Sequence, residues 1–144
     1  MESSRAFPVS SAKSATSKLH APAILFGWLA DVALSGIAGV AVVVAFGVDP
    51  MDAAAVDGLS SVLPYFLVSL PVALVCTAIG GYVAGHLAAG EELNNAFVMG
   101  VASAVTSLVF TIGATVPLWY LAASIALTVP AALGGGYVRA RTRA

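Results

Sequence analysis

The chain has 144 residues, of which 60% are hydrophobic and only 9% are charged. Soluble domains usually carry about 25% charged residues, so this composition excludes an ordinary protein whose whole surface faces water. The net charge of −1 gives no sign of a nucleic-acid partner. We therefore expect one domain whose solvent, over much of its surface, is the lipid bilayer.

The chain carries one cysteine, Cys76, inside an apolar run. A single cysteine excludes an internal disulfide and any metal site built from several cysteines. The sequence also contains no Gly-rich phosphate loop, no HExxH pattern and no GxSxG elbow. We therefore predict no enzymatic activity, no cofactor and no metal site.

The first 20 residues are rich in serine and alanine and show no apolar period. This pattern predicts a flexible cytoplasmic tail over 1–20, followed by a transmembrane domain over 21–144. The apolar stretch after the tail is longer than the roughly 7–15 residues of the apolar region in a secretory signal peptide. It is therefore interpreted as a retained helix.

Four apolar stretches are long enough to cross a bilayer, which takes about 20 helical residues. They lack period-2 alternation, and in lipid only helices and closed barrels satisfy every backbone group. The short links after the second and third helices make consecutive helices antiparallel neighbours. The sequence therefore predicts an all-α bundle of four transmembrane helices, at about 23–47, 62–88, 94–113 and 116–138.

The link between the first two predicted helices carries Asp49-Pro50 and, further on, Gly58. Aspartate is a good N-cap, and proline suits the first position of a helix. We therefore expect a short surface helix that Asp49 caps, with Asp52 in its first turn, and that Gly58 ends.

The basic residues predict the orientation of the chain in the membrane. Cytoplasmic segments are enriched in lysine and arginine, and here both flanks of the transmembrane region carry them. An even number of helices agrees with two cytoplasmic ends, so we predict a multi-pass protein of the plasma membrane with both termini in the cytoplasm. The six basic residues are Arg5, Lys13, Lys18, Arg139, Arg141 and Arg143.

A weak internal repeat relates the second and fourth predicted helices. Gly80-Gly81-Tyr82-Val83 recurs 55 residues later as Gly135-Gly136-Tyr137-Val138. A real repeat would make the protein two parallel-repeat hairpins, related by an axis along the membrane normal. The alternative is chance recurrence of residues that are common in membrane proteins.

Small residues recur every four positions on three of the predicted helices. This spacing lets helix backbones approach closely, which is how membrane helices associate. The alternative is a passage lined by glycines. We therefore predict helix-packing positions at Gly81, Gly85, Gly100 and Gly136.

Asp31 is the only acidic residue within a predicted span. A charge at the centre of a transmembrane helix costs about 2.5–3.5 kcal/mol on insertion scales, so such residues usually face the protein interior and have partners. Ser35 lies one turn further on, and Tyr82 and Tyr137 come from comparable depths. These four residues form a candidate polar site, interpreted either as a proton or cation site or as a hydrogen-bonded pin between helices.

The run Gly80-Gly81-Tyr82-Val83-Ala84-Gly85-His86-Leu87-Ala88, followed after a polar turn by Asn95-Ala96-Phe97-Val98-Met99-Gly100, resembles a known pattern. It is similar to small four-helix prokaryotic membrane proteins of unknown function that share a Gly-Gly-Tyr-x-Ala-Gly helix end. Those families often have arginine or tyrosine where this chain has His86. The resemblance covers about 20 residues and implies a fold and a topology, but no activity.

The small-residue stripes and the scarcity of buried polar chemistry favour a structural or accessory subunit. Such a subunit would self-associate or pack in a larger membrane complex. The alternative is a small transporter or channel that uses Asp31 as an intramembrane proton or cation site. A third hypothesis, a holin-like lysis protein, agrees with the size and the number of helices.

Overall fold

The computed structural model describes residues 18–112, 114 and 116–143. Within these residues four helices are long and apolar enough to cross a membrane, which confirms the predicted all-α, multi-pass bundle. The predicted tail lies, apart from residues 18–20, outside the described residues. The long helices are α1 (Ala21–Ala45), α3 (Leu63–Leu87), α4 (Glu92–Phe110) and α5 (Leu118–Arg143), and a short helix, α2 (Ala53–Gly58), follows α1.

Consecutive long helices run antiparallel, so the two ends of the bundle differ in composition. At one end, the start of α4 contacts the start of α1 through Asn95 and His20, and the end of α5 through Glu92 and Arg143. We call this the terminal end. At the other end, where the links that follow α1 and α4 lie, an aromatic cluster joins the helices: Phe46, Tyr65, Phe66, Trp119 and Tyr120. We call this the loop end.

The helix packing follows the predicted repeat only in part. A Cβ added to Gly136 of α5 would lie 3.8 Å from the Gly81 carbonyl oxygen of α3, so equivalent repeat positions share one interface. However, Gly80 packs against α1, whereas its counterpart Gly135 packs against Ala78 of α3. Helix α3 also packs on α4, while the equivalent pair, α1 and α5, has no comparable contact among the described residues. The contacts are therefore not those of a symmetric pair of hairpins.

The short helix α2 is capped by Asp52, and the prediction of Asp49 as its cap was wrong. The Asp52 side chain accepts a hydrogen bond of 3.1 Å from the Ala55 N–H. Asp49 instead accepts one of 2.9 Å from the Met51 N–H, two residues further on. Aspartate commonly closes such a local turn. Because this turn comes first, the helix starts three residues later than predicted.

Helix α5 continues five residues beyond the predicted end at 138. Hydropathy shows where apolar side chains stop, whereas helical hydrogen bonding continues through the arginines to Arg143. The Arg143 guanidinium lies 3.0 Å from a carboxylate oxygen of Glu92, in the first turn of α4. Each charge complements the dipole of its own helix end. Since Arg143 is about half exposed, the pair contributes at most about 1 kcal/mol.

Asn95 fastens the segment before α1 to α4. Its side chain is fully buried, its Oδ1 accepts a 2.8 Å bond from the His20 N–H, and its Nδ2 donates to the Glu91 carbonyl at 2.9 Å. Asn95→Ala leaves the part-buried His20 N–H without its partner, so we expect a loss of about 1 kcal/mol of stability. We also expect faster tryptic cleavage after Lys18.

Thermal unfolding in detergent and limited proteolysis measure these two effects. Asn94→Ala is the matched control, because the Asn94 side chain is exposed and bonds only the Glu91 carboxylate at the surface. Equal stability and equal cleavage rates for the two variants would show that Asn95 does not hold this segment.

Candidate intramembrane carboxylate site

Asp31 lies near the middle of the bundle. It is the eleventh residue of α1, so its Cα lies about 15 Å along the helix from Ala21. Only 5% of the residue is exposed. A Cβ added to Gly80 of α3 would lie 2.9 Å from the Asp31 Cβ, and one on Gly27 would lie 2.7 Å from the Ala84 Cβ. The two glycines therefore let α1 and α3 approach closely enough to bury the carboxyl group.

Three hydroxyl groups from three helices donate to the Asp31 carboxyl group. Thr77 of α3 donates to Oδ1 at 3.0 Å, and Ser35, one turn further along α1, donates to the same oxygen at 3.3 Å. Ser103 of α4 donates to Oδ2 at 2.5 Å. Both carboxyl oxygens are therefore satisfied, and the site joins α1, α3 and α4.

The Asp31 carboxyl group has no basic partner among the described residues. Their one ion pair, Arg143 with Glu92, lies at the terminal end. Taking a carboxylate out of water without a counter-charge costs several kcal/mol, and the three hydroxyl donors offset part of this cost. The described basic and histidine side chains all belong to segments at the terminal end: Lys18, His20, His86, Arg139, Arg141 and Arg143.

Hydroxyl partners suit a group that changes its charge. A serine or threonine hydroxyl is both a donor and an acceptor, whereas lysine and arginine only donate. Thr77 and Ser103 can therefore donate to a charged Asp31 and accept from a protonated one. The surroundings of Asp31 can satisfy both states without moving a helix.

An internal cavity leads from Asp31 toward the loop end. It has a volume of about 230 Å³, and a second cavity of about 150 Å³ shares Ser35, Ala73 and Tyr120 with it and reaches Tyr65. We call the two together the vestibule. Most of the side chains that line its larger part are polar: Asp31, Ser35, Thr77, Ser107, Thr111, Tyr120, Ser124 and Thr128.

A third cavity approaches Asp31 from the side of the bundle, between α1 and α4. Its volume is about 340 Å³, and its lining includes Val32, Gly36 and Phe110 besides Asp31 and Ser103. Phe110 is 74% exposed and Gly36 is exposed, so the cavity opens onto the outer surface of the bundle. We call it the lateral cleft.

A close-packed layer lies on the terminal side of Asp31. Ala84, Met99 and Ala132 are fully buried against one another, and Ile24 and Trp28 pack on them. We call these five residues the plug. None of the three cavities extends past Asp31 into the plug. Asp31 is therefore approached from the loop end and the side.

The structure brings one of the three predicted partner side chains to Asp31. Ser35 bonds it, but neither predicted tyrosine is among its donors. Tyr82 is exposed and stacks on His86 with ring centroids 6.3 Å apart, and Tyr137 is exposed beneath the Arg141 guanidinium at 5.1 Å. Both tyrosines directly follow a glycine that faces another helix, and the 100° turn per residue directs them outward.

The four predicted packing glycines lie at contacts inside the bundle. A Cβ on Gly81 would overlap the Ala132 backbone of α5, and one on Gly100 would lie 2.8 Å from the Ala132 Cβ. A Cβ on Gly136 would lie 2.6 Å from the Ala96 Cβ, and one on Gly85 would lie 3.4 Å from the Gly136 Cα. These stripes therefore join α3, α4 and α5 of a single chain.

The sequence analysis did not assign Thr77 and Ser103 to the site. Their depth along the helices could have indicated that they lie beside Asp31. Counted along the helices, Thr77 lies ten residues before the end of α3, and Ser103 lies eleven residues after the start of α4. Each therefore lies about 15–17 Å from the terminal end, at the same level as Asp31.

Comparison with known proteins assigns no family to the chain. No protein-family model, no curated protein and no solved structure matches it. The resemblance of the Gly-Gly-Tyr-x-Ala-Gly segment stays a prediction. A functional conclusion therefore depends on the geometry around Asp31.

Proposed function

We propose that the protein is a small membrane transporter or channel in which Asp31 binds a proton or a monovalent cation. One observation carries the proposal. Asp31 is buried at mid-depth with three hydroxyl partners, without a basic partner among the described residues, and at the inner limit of a polar vestibule. Intramembrane carboxyl groups in such settings mark ion and proton pathways.

In the proposed mechanism, the ion reaches Asp31 through the vestibule. Its serine and threonine oxygens replace part of the hydration shell, as oxygen ligands do in ion pathways. Asp31 then supplies the negative charge, and Thr77 and Ser103 reorient their hydroxyl groups to suit the new occupant. Release toward the terminal end requires the plug to open, as in alternating access around a fixed site.

The accessory-subunit hypothesis depended on small-residue stripes beside a scarcity of buried polar chemistry. The predicted packing glycines of these stripes contact helices of the same chain, and Asp31 is a buried polar group with three hydroxyl partners. Self-association and assembly into a larger membrane complex stay predictions that no described contact carries. The polar site around Asp31 therefore gives the better-supported function.

We also propose that the terminal end is cytoplasmic and that the membrane is the plasma membrane. Lys18, Arg139 and Arg143 flank the spans at this end, and the loop-end link between α1 and α3 contains only acidic charges. A fluorescent reporter fused after residue 144 is expected to fold in the cytoplasm, and a periplasmic phosphatase inserted beside Asp57 is expected to be active. An active phosphatase at the C-terminus instead would reverse the proposed orientation.

Flux into liposomes tests the proposed function. Wild-type protein is expected to conduct protons or sodium ions above the rate of empty liposomes under an imposed membrane potential. Thr77→Val with Ser103→Ala removes two of the three donors to Asp31, and interhelical hydrogen bonds in membranes are worth about 0.6 kcal/mol on average and up to about 1.7 kcal/mol. We expect the double variant to lower the flux by about tenfold or more.

Ser61→Ala with Thr142→Val provides the matched control, because it removes one serine and one threonine hydroxyl from exposed positions. This control is expected to keep the wild-type flux. Wild-type flux no greater than that of empty liposomes, or equal fluxes for the two double variants, would refute the proposal.

A further inference from the structure

The lateral cleft gives Asp31 an approach that does not pass through water. Its walls are α1 and α4, and its mouth lies between Gly36 and Phe110, in the loop-end half of the bundle. Beside it, Trp28 Nε1 donates to Thr106 Oγ1 at 3.0 Å and joins the two walls. A molecule dissolved in the bilayer can therefore reach the carboxyl group sideways.

We infer that the lateral cleft binds a lipophilic organic cation taken from the loop-end leaflet. The inference deepens the proposed function of Asp31 and rests on it. The floor of the cleft presents a carboxyl group without a basic partner among the described residues, while Val32 and Phe110 contribute apolar walls. A positive head group beside an apolar body complements both features. The volume of about 340 Å³ lies within the range of pockets that hold small organic ligands.

The chemistry disfavours other occupants. A charged Asp31 would repel an anion, and a neutral lipid tail has no positive group that could replace the ion on the carboxyl group. A small hydrated ion is better served by the vestibule, whose lining is richer in hydroxyl groups. Asp31 can therefore meet a lipophilic organic cation from the lateral cleft and a small hydrated ion from the vestibule.

The positive head group takes the place of the proton or small cation that the proposed function assigns to Asp31. The displaced ion leaves through the vestibule as the head group arrives, so one positive charge replaces another. At this depth α4 contributes the hydroxyl groups of Ser103, Thr106 and Ser107 and no titratable group. On the loop-end side of the site the titratable groups are Tyr65 of α3 and Tyr120 of α5, and buried Cys76 precedes Thr77 on α3. The remaining titratable groups of these helices lie toward the terminal end: Tyr82, His86, Glu92, Tyr137, Arg139, Arg141 and Arg143.

Tetraphenylphosphonium serves as the probe, with the full chain in lipid nanodiscs. We expect saturable binding to the wild type. Gly36→Phe fills the mouth of the cleft, since a Cβ at Gly36 meets nothing within 4 Å, and is expected to weaken binding by about tenfold or more. Val32→Phe, from the same wall, provides a second block.

Gly134→Phe is the matched control. Gly134 of α5 is also exposed with open space around its Cβ position, but it lies away from the cleft, so this variant should bind as the wild type does. Non-saturable binding to the wild type, or wild-type affinity in both cleft variants, would overturn the inference.

The flux assay separates this inference from the proposed function. Asp31-dependent proton flux without saturable phosphonium binding would overturn the cleft inference alone. Phosphonium binding that the cleft variants weaken, from a wild type without ion flux, would support the cleft and overturn the proposed transport of small ions.

Discussion

Asp31→Asn is expected to abolish the ion flux of the protein and to leave the bundle folded. Asparagine has nearly the same shape as aspartate and still bonds to Thr77 and Ser103. Its amide, however, carries no charge and is neither an acid nor a base near neutral pH. Interhelical hydrogen bonds in membranes average about 0.6 kcal/mol each, so rearranging them should change stability by no more than about 1 kcal/mol. Because this position then has no charge to bind an ion, the flux should fall to the rate of empty liposomes.

Asp57→Asn makes the same chemical change at an exposed position of α2, so it should keep full flux. Proton or sodium flux into liposomes compares the two variants, and thermal unfolding in detergent checks that both are folded. Flux that persists in Asp31→Asn at the rate of Asp57→Asn would exclude Asp31 as the ion site.

Gly135→Ala is expected to destabilise the bundle severely. A Cβ at this position would overlap the Ala78 carbonyl and lie 2.7 Å from the Tyr82 backbone nitrogen, both on α3. Backbone atoms cannot rotate away as a side chain can, so α3 and α5 must separate. Overpacking a core typically costs about 1–3 kcal/mol, and we expect a loss of about 3 kcal/mol here.

The neighbouring glycine provides the control. Gly134 is exposed and has nothing within 4 Å of its Cβ position, so Gly134→Ala should be neutral or stabilise α5 by up to about 1 kcal/mol, as alanine usually does in a helix. Unfolding can be followed through the fluorescence of Trp28 and Trp119. Equal unfolding midpoints for the two variants would show that α3 and α5 do not approach each other at Gly135.

The four spans could be predicted because their signal is local. Each is an apolar run of bilayer length, and the observed helices begin and end within about five residues of the predicted positions. The largest difference is at Arg143, where charged residues extend α5 beyond its apolar part. The cap at Asp52 was missed because two neighbouring aspartates offered similar signals and only the local turn separates them.

The site was only partly predictable. The cost of burying an acid identified Asp31, and the spacing of one helical turn identified Ser35. The helix rotations and crossings that bring in Thr77 and Ser103, and turn Tyr82 and Tyr137 outward, depend on tertiary packing. Thr77, for example, reaches Asp31 because α1 and α3 approach closely at Gly27 and Gly80, a contact that no single helix encodes.

The small-residue stripes illustrate the same limit. Their spacing predicts that a helix backbone approaches Gly81, Gly100 and Gly136, but it does not say which helix does so. In the structure the approaching helices belong to the same chain. Because the stripes contact helices of the same chain, they do not indicate a partner on the outer faces of the protein. The candidate functional residues lie at its centre.

The response of the Asp31 carboxyl group to an added cation shows directly whether this residue binds an ion. Infrared difference spectroscopy of the protein in lipid, with Asp31→Asn as the reference, resolves the carboxyl band of this one residue. We expect a carboxyl band that changes when a saturating cation is added and that is absent from the variant. A band that a saturating cation leaves unchanged would show that Asp31 binds no ion and is a structural pin between helices.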